Sequence, residues 1–501
     1  MHYNFIKNEN NLIDRIKNHY GINDDDLDIN KYENIRYDSS IIKFKEILLS
    51  LKDKYFLIIG DGDCDGICAT AIIKRLLDHL NIKNNYYIPS RIEEGFGIND
   101  NIIELAHKHH NDVILALDNG IANYDAYNKC HEYNIKYLVI DHHEYENEVK
   151  ADAYIHPDIL SDDFKNLSAA GLAYLLSSIF YDDELSLVYA GIALLADMVG
   201  VLRYNRYLIK KMLNILNTKK IYQINYLAKS TSYTYKSLSF DVIPKINTFA
   251  RLGLNVNLLV KYLLADEKYC DKYSKEINKY NDERKKLTNQ MTDKVKEIID
   301  LNKDIIVIED ETFKEGLCGL ISNKLLHEYK KPTLVFAYHD DLYKGSGRSL
   351  KDFDLFNYLK DFNQFESFGG HPQALGLSIK NNNYPLFLEY ISSHKIQLNE
   401  YIEDVFILND DELNLDTYYL IESLAPFGID FKEILFGIEK EKIIEKRIMA
   451  NKYPKFIINN KCSAISFNEE YLDKEFDYMI GKLNIDKFDS SKLSFMIEEL
   501  I

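Results

Sequence analysis

Residues 61–66 read Asp-Gly-Asp-Cys-Asp-Gly, three carboxylates at alternate positions closed by a glycine. Carboxylates packed this tightly repel one another unless cations sit among them. An EF-hand calcium loop opens the same way, but it requires a bidentate glutamate at its twelfth position and a helix in front. Here the twelfth position is Ile72, and 55–59 is a short aromatic and β-branched run of strand type. Two readings remain. One is a solvated acidic turn, which Asp-Gly dipeptides commonly build; the other is a loop at the carboxyl end of a parallel strand, aiming carboxylates into the crevice above a sheet.

Other apolar runs end in the same way. The run 112–117 stops before Asp118, 136–140 stops before Asp141, His142 and His143, and Asp197 closes the apolar helical stretch 190–197. Each has a structural explanation, because Asp caps helices and Asp118-Asn119-Gly120 is turn material. Their coincidence with strand ends favours metal ligation over separate caps and turns. The donor set is rich in oxygen with one or two imidazoles, which suits Mn²⁺ or Mg²⁺ better than zinc. Two such ions about 4 Å apart clamp the attacking and leaving oxygens of a phosphoryl transfer.

The elements that must position these residues follow from the alternation of short apolar runs with longer helical ones between 55 and 197. Strand-like runs at 55–60, 86–88, 112–117 and 136–140 alternate with helical patterns, which predicts a parallel sheet with helices on both faces. A charged amphipathic stretch at 267–301 reads as one long helix between two domains, in a region free of glycine and proline from 254 to 315. Beyond it, 304–310, 332–338 and the run to 379 predict a second α/β unit carrying GSGRS (345–349) and FGGHPQALGLSI (368–379). Glycines there would let a phosphodiester approach the backbone, Arg348 offers a bidentate fork, and His371 sits on a Gly-Gly turn. The last hundred residues alternate in short strands, as a small β-barrel does. The expected division is a lead-in at 1–50, a catalytic unit at 51–262, a connecting helix at 263–302, a substrate-binding unit at 303–400 and the barrel at 401–501.

Bulk composition narrows the function classes. The chain has 501 residues, 46% of them hydrophobic, enough for three or four domains with real cores. Its formal net charge of -18 argues against a module that coats itself with nucleic-acid phosphates, though not against an enzyme with few, local contacts. The six cysteines lack metal-ligand or disulfide spacing, so a reduced, cytoplasmic protein is expected. No apolar stretch approaches the ~18 residues of a membrane span, so no membrane partner is expected.

These motifs resemble, in order, those of the DHH phosphoesterase superfamily, and specifically its RecJ-like branch of single-strand-specific 5′ exonucleases. DGDCDG, LDNGI, DHH (141–143) and LLADMVG are similar to its first four motifs. IPSRIEEGFGIN (88–99), PKINTFARLG (244–253), EGLCGLISNKL (316–325), GSGRS, FGGHPQALGLSI and LAPFG (424–428) resemble further family segments, so the likeness runs over nearly the whole chain. Ala250 departs from the family's usual glycine. The resemblance implies metal ligands at Asp61, Asp63, Asp65, Asp118, His142 and Asp197, with Asp141 and His143 supporting the site or touching phosphate. It implies substrate contacts at Arg91, Asn247, Arg251, Ser346, Arg348, Ser349 and His371. The expected activity is two-metal hydrolysis of single-stranded DNA from its 5′ end to 5′-mononucleotides, in DNA repair and recombination. A single-strand-binding protein or a helicase is the candidate protein partner. The alternatives are a phosphodiesterase acting on oligonucleotides or cyclic dinucleotides, and an inactive DHH scaffold within a replication complex.

Overall fold

The computed structural model describes residues 2–7, 11–91, 94–95, 97–396 and 402–501. The boundary expected at 400, and residues 92, 93 and 96 of the stretch 88–99, lie outside the described residues. The chain starts with strand β1 (His2–Ile6) and helix α1 (Leu12–Tyr20). A parallel sheet follows, built from β2 (Phe56–Ile59), β3 (Asn84–Tyr87), β4 (Val113–Leu117), β5 (Lys136–Ile140) and β6 (Ala153–Ile155) in the order β3-β2-β4-β5-β6. The short β6 was not foreseen.

β2 and β4 are buried along their whole length, as a sheet covered on both faces requires. Their side chains alternate between two cores. Phe56, Ile58 and Leu115 face α2 (Cys64–His79), α5 (Ala169–Ser177) and α6 (Glu184–Ala196), whereas Leu57, Ile59 and Ile114 face α3 (Asp100–Lys108) and α4 (Tyr124–Glu132). Each fully buried Ile or Leu contributes about 1.5–3 kcal/mol, so the sheet is a rigid platform for the loops at its carboxyl edge. Helices α7 (Arg203–Thr218) and α8 (Thr248–Leu252) complete this unit.

The predicted long helix is α9 (Glu267–Ile298), 32 residues capped by the Asp266 side chain on the Tyr269 amide. At 1.5 Å per residue it spans about 48 Å. Cys270 and Ile277 join the core of the first unit, while Met291 and Val295 join that of the second, so one helix docks on both. The second unit is a five-stranded sheet of β7 (Ile306–Asp310), β8 (Thr333–His339), β9 (Leu342–Arg348), β10 (Ser367–His371) and β11 (Ala374–Lys380), with order β10-β11-β9-β8-β7. Helix α10 (Glu315–Tyr329) covers one face.

The C-terminal strands are β12 (Ile402–Ile407), β13 (Leu435–Glu439), β14 (Glu445–Met449), β15 (Tyr453–Ile457), β16 (Cys462–Ile465), β17 (Tyr478–Ile485) and β18 (Leu493–Leu500). Together with β1 they form an eight-stranded mixed sheet in the order β1-β12-β13-β17-β18-β16-β15-β14. The lead-in is thus tied to the far end of the chain: β1 pairs in parallel with β12. The buried Arg15 of α1 grips both carboxylate oxygens of Glu412 and donates to the Ile407 carbonyl at 2.7 Å. Among the described residues, no helix is long and apolar enough to cross a membrane.

Candidate active site

The DGDCDG segment leaves β2 and enters α2. Asp63 caps that helix, its Oδ1 accepting from the amides of Asp65 at 3.0 Å and Gly66 at 3.2 Å. The closing glycine is required sterically, because a Cβ on Gly66 would lie 2.5 Å from the Asp61 carbonyl oxygen. Asp65 turns inward to the start of α5, where it accepts from the Ser168 hydroxyl at 2.8 Å and from the amides of Ala169 and Ala170 at 2.8 and 3.0 Å. Asn247 was expected to hold substrate. Its Oδ1 instead accepts the Cys64 amide at 2.8 Å, so it braces the loop that carries the carboxylates.

Three further elements reach the same edge. Asp118 follows β4 with φ +60°, a left-handed conformation that side-chain-bearing residues rarely adopt and that the neighbouring structure must enforce. Asp141 follows β5 and is fully hydrogen-bonded. Its Oδ1 accepts from the His142 amide at 2.8 Å and from His143 Nδ1 at 2.8 Å, and its Oδ2 accepts from the Ile121 amide at 3.0 Å. Asp197 ends α6. His142 Nε2 lies 3.2 Å from Asp118, 3.5 Å from Asp197 and 3.8 Å from Asp65.

The charges are arranged in opposition. Burial, then the charge of Asp63, pushes the Asp65 carboxyl up to about 7. Burial and Asp65 raise Asp197 to about 8. Asp118 is raised well above the carboxylate range by burial and by Asp65, Asp63 and Asp61. Burial and the charge of His143 lower His142 to about 4, which leaves a neutral imidazole fit to ligate metal. Burial opposes protonation of His143 as well, yet its hydrogen bond to Asp141 prevails and raises it to about 9. Asp141 is correspondingly held down at about 2: burial works against this, and the bond to His143 outweighs it.

Ligand atoms gather in three groups, each within 4.8 Å: Asp61, Asp63 and Asp118; Asp118, His142 and His143; and Asp65, His142 and Asp197. The buried Asp118 Oδ1 accepts no hydrogen bond among the described residues. An orphaned carboxylate oxygen amid other carboxylates is costly without a cation. The residues present therefore fit Mn²⁺ or Mg²⁺, with Asp118 and His142 each shared between two groups.

Arg91 lies against the same loop, its Nε donating to Asp61 at 3.0 Å and its Nη2 to Asp63 at 3.1 Å. Arg251 makes no ion pair among the described residues, and burial with the nearby Arg284, Arg348 and Arg91 brings it down to about 10 despite Asp63. Arg284, which the motif reading missed, is buried in α9 and among the described residues donates only to Asn281 Oδ1, at 3.0 and 3.2 Å. Its signal in the sequence is no more than one cation in a helix crowded with them.

In the second unit, a Cβ on Gly319 would lie 3.2 Å from Arg348 Nη2 and 3.5 Å from Ser346 Oγ, so both side chains share the face under the start of α10. His371 Nδ1 lies 3.8 Å from Glu144, the residue after the DHH triplet, so the two units face each other there. Ser349 does not belong to this face: it is buried and donates to the Phe353 carbonyl at 2.8 Å. The glycines also divide differently from the expectation. A Cβ on Gly345 would strike the Phe336 ring at 2.4 Å and one on Gly347 would meet Leu334 at 2.9 Å, so these two serve packing. Gly369 and Gly376 have open space beside them and stand in register with Ser346 across β10, β11 and β9, which leaves a bare strip next to Arg348.

The DHH family N-terminal domain matches residues 55–196, the DHHA1 domain 302–395 and the RecJ OB domain 406–499. A single-stranded-DNA-specific exonuclease RecJ from Haemophilus influenzae is 27% identical over 465 residues, covering 82% of this chain and 80% of its own. The Bacillus subtilis protein of that name is 25% identical over 470 residues, and the aligned region spans 87% of this chain but 60% of that longer protein. The crystal structure of Thermus thermophilus RecJ with Mn²⁺ shares the fold, with a TM-score of 0.84 at 21% identity over 97% of this chain and 75% of that one. With its strand-end carboxylates, its facing arginine-bearing unit and its C-terminal sheet, the chain carries the DHH family N-terminal domain, the DHHA1 domain and the RecJ OB domain in that order, and shares the fold of Thermus thermophilus RecJ.

Proposed function

We propose that this chain is a metal-dependent exonuclease that hydrolyses single-stranded DNA from the 5′ end and releases 5′-mononucleotides. The observation that carries this reading is the juxtaposition of a carboxylate cluster containing the unpaired Asp118 Oδ1 with the arginine- and histidine-bearing face of the second unit. In the proposed division, residues 51–262 hold the ions, 303–400 hold the terminal phosphate, the helix between fixes their separation, and 401–501 take up the following nucleotides.

Asp61, Asp63, Asp65, Asp118, His142 and Asp197 would hold two divalent ions, Mn²⁺ or Mg²⁺. Bound there, such ions activate water and neutralise charge on the phosphoryl oxygens. Asp141 accepts from His143 Nδ1 and orients the protonated ring, which can then present Nε2–H to a phosphate oxygen. Arg348 and Ser346 point to the same strip and would grip the 5′ phosphate, with Arg251 and Arg91 adding charge from the first unit. Arg91 would have to exchange part of its contact with Asp61 and Asp63 for substrate. Asn247 and Ser349 act as braces in this scheme.

The retained carboxylates speak against an inert scaffold, and the C-terminal sheet against a small-substrate phosphodiesterase. A net charge of -18 leaves little general attraction for naked strands, which favours delivery of substrate by a single-strand-binding protein or a helicase. The described cysteines are all buried and unpaired, in keeping with a cytoplasmic setting. The test is a digestion with Mn²⁺ of single strands blocked at either end. Mononucleotides should appear from a 5′-phosphorylated strand with a blocked 3′ end and not from the reverse, and duplex should be cut slowly. Equal digestion from both ends overturns the polarity, and activity after exhaustive chelation overturns the metal chemistry.

A further inference from the structure

Asp197, like Asp118, differs from the other carboxylates of the site. Asp65 and Asp141 are each held by several hydrogen bonds, and Asp61 and Asp63 by Arg91. The Asp197 carboxylate accepts none among the described residues; His142 Nε2 lies 3.5 Å from it, and Asp65 is gathered in the same cluster. Its backbone is held from before by α6, the Asp197 amide donating to the Ala193 carbonyl at 2.9 Å, and from after by a turn that is unusual. Met198 has φ +55° and is 74% exposed, and Arg203, at the start of α7, has φ +56°. An exposed methionine in the left-handed region gains nothing from packing, so something outside the loop must hold it.

The C-terminal part of the chain supplies that hold. Asp430 Oδ1 accepts the Val201 amide at 2.7 Å. A Cβ on Gly200 would lie 2.4 Å from Asp430 Oδ2, and one on Gly428 would lie 2.6 Å from Val201 Cγ1, so two glycines let the segments 200–201 and 428–430 interlock. The junction is reinforced from α7, where the buried Arg206 donates through Nη2 to the carbonyls of Leu424 at 2.8 Å and Ala425 at 2.9 Å. Asn205 ties the same loop down by donating to the Gly200 carbonyl at 2.7 Å.

We infer that Asp430 is a positioning residue for the metal site: by fixing the Val201 amide it sets the turn that presents Asp197, so the C-terminal unit contributes to metal affinity as well as to strand binding. The inference rests on the reading of Asp197 as a metal ligand. Groups that orient a ligand without touching the metal typically change affinity by about 10- to 100-fold when removed. Asn at position 430 keeps an acceptor for the Val201 amide, whereas Ala removes it.

The experiment is a titration of the full-length, metal-free protein with Mn²⁺, followed by electron paramagnetic resonance and calorimetry, on wild type, Asp430→Ala, Asp430→Asn, Gly200→Ala and Asp197→Ala, paired with kcat and KM on single strands. Asp430→Ala should weaken the site that Asp197→Ala abolishes by about 10-fold or more, lower kcat at low Mn²⁺, leave KM for the strand near the wild-type value, and recover at high Mn²⁺. Asp430→Asn should stay close to wild type. Gly200→Ala, which drives a methyl into the same carboxylate, should reproduce the defect, and it serves as the test if Asp430→Ala does not fold. Unchanged Mn²⁺ affinity in Asp430→Ala, or an equal loss in Asp430→Asn, overturns the inference. The metal titration needs no hydrolysis. Wild type that binds Mn²⁺ without digesting strands refutes the exonuclease reading alone, and wild-type digestion with unaltered Asp430→Ala refutes this inference alone.

Discussion

In the first unit Asp61, Asp63, Asp65, Asp118 and Asp197 crowd at a strand edge with one neutral imidazole among them, whereas in the second Arg348, Ser346 and His371 line a strip of sheet bared by Gly369 and Gly376. One region gathers buried carboxylates that resist ionisation without a cation, and the other gathers partly buried positive charge. Apart from the distant approach of His371 to Glu144, neither neutralises the other, and the pairing of Arg91 with Asp61 and Asp63 lies within the first region. The helix α9 sets their separation by docking on both cores. Charge left uncompensated inside a fold marks where ligands complete the electrostatics: cations on the first region, a phosphate on the second.

The largest expected effect comes from removing the shared anion. Asp118→Asn should lower the rate of hydrolysis by about a thousand-fold or more, since several kcal/mol of charge stabilisation depend on the bound ions, while circular dichroism reports an intact fold. Wild-type turnover would break the contrast at its anionic side. On the cationic side, Arg348→Ala should cost about 10- to 100-fold in kcat/KM for 5′-phosphorylated strands, the worth of a charge-assisted pair. The loss should shrink on 5′-hydroxyl strands, with Mn²⁺ binding unchanged. An equal loss on both substrates would mean that Arg348 does not read the terminal phosphate.

Two neighbouring serines sharpen the contrast further. Ser346→Ala should reduce kcat/KM by about 5- to 10-fold with little change in melting temperature, the worth of one ordinary hydrogen bond. Ser349→Ala should destabilise the second unit by about 1 kcal/mol, because a buried hydroxyl bond to the Phe353 carbonyl is lost, and should leave KM alone. The reverse pattern would restore Ser349 as the substrate contact.

The smallest effect is on stability. Asp65 and Asp197 keep their protons in the metal-free fold up to about 7 and about 8, well above their values in an unfolded chain. A raised carboxyl pKa favours the fold at low pH, and that advantage is lost as the pH rises through these values. The melting temperature of metal-free protein should therefore fall by a few degrees between mildly acidic and mildly alkaline buffer, and Mn²⁺ should remove the slope. A flat profile without metal would show that the carboxylates do not strain one another.

The anionic half was legible because apolar runs that stop on Asp61, Asp118 and Asp141 already mark strand ends, and strand ends in a parallel sheet meet at one edge. The cationic half was only partly so. Whether Gly345 or Gly376 opens the sheet depends on which face each occupies, and that follows from register with β8 and β11, not from the motif. Ser349 and Asn247 are hydrophilic residues in the expected motifs whose acceptors or donors were claimed by nearby backbone, which composition does not reveal. The pairing of β1 with β12 and the bond from Val201 to Asp430 join segments far apart in the chain, beyond any local pattern.

The most direct test of the opposed-charge site is a crystal structure of the protein grown with Mn²⁺ and thymidine 5′-monophosphate, with the ions located by anomalous scattering. Two peaks about 4 Å apart should lie among Asp61, Asp63, Asp65, Asp118, His142 and Asp197, with the phosphate spanning from them to Arg348 and Ser346. Absence of anomalous density at Asp118, or a phosphate bound away from Arg348, would contradict it.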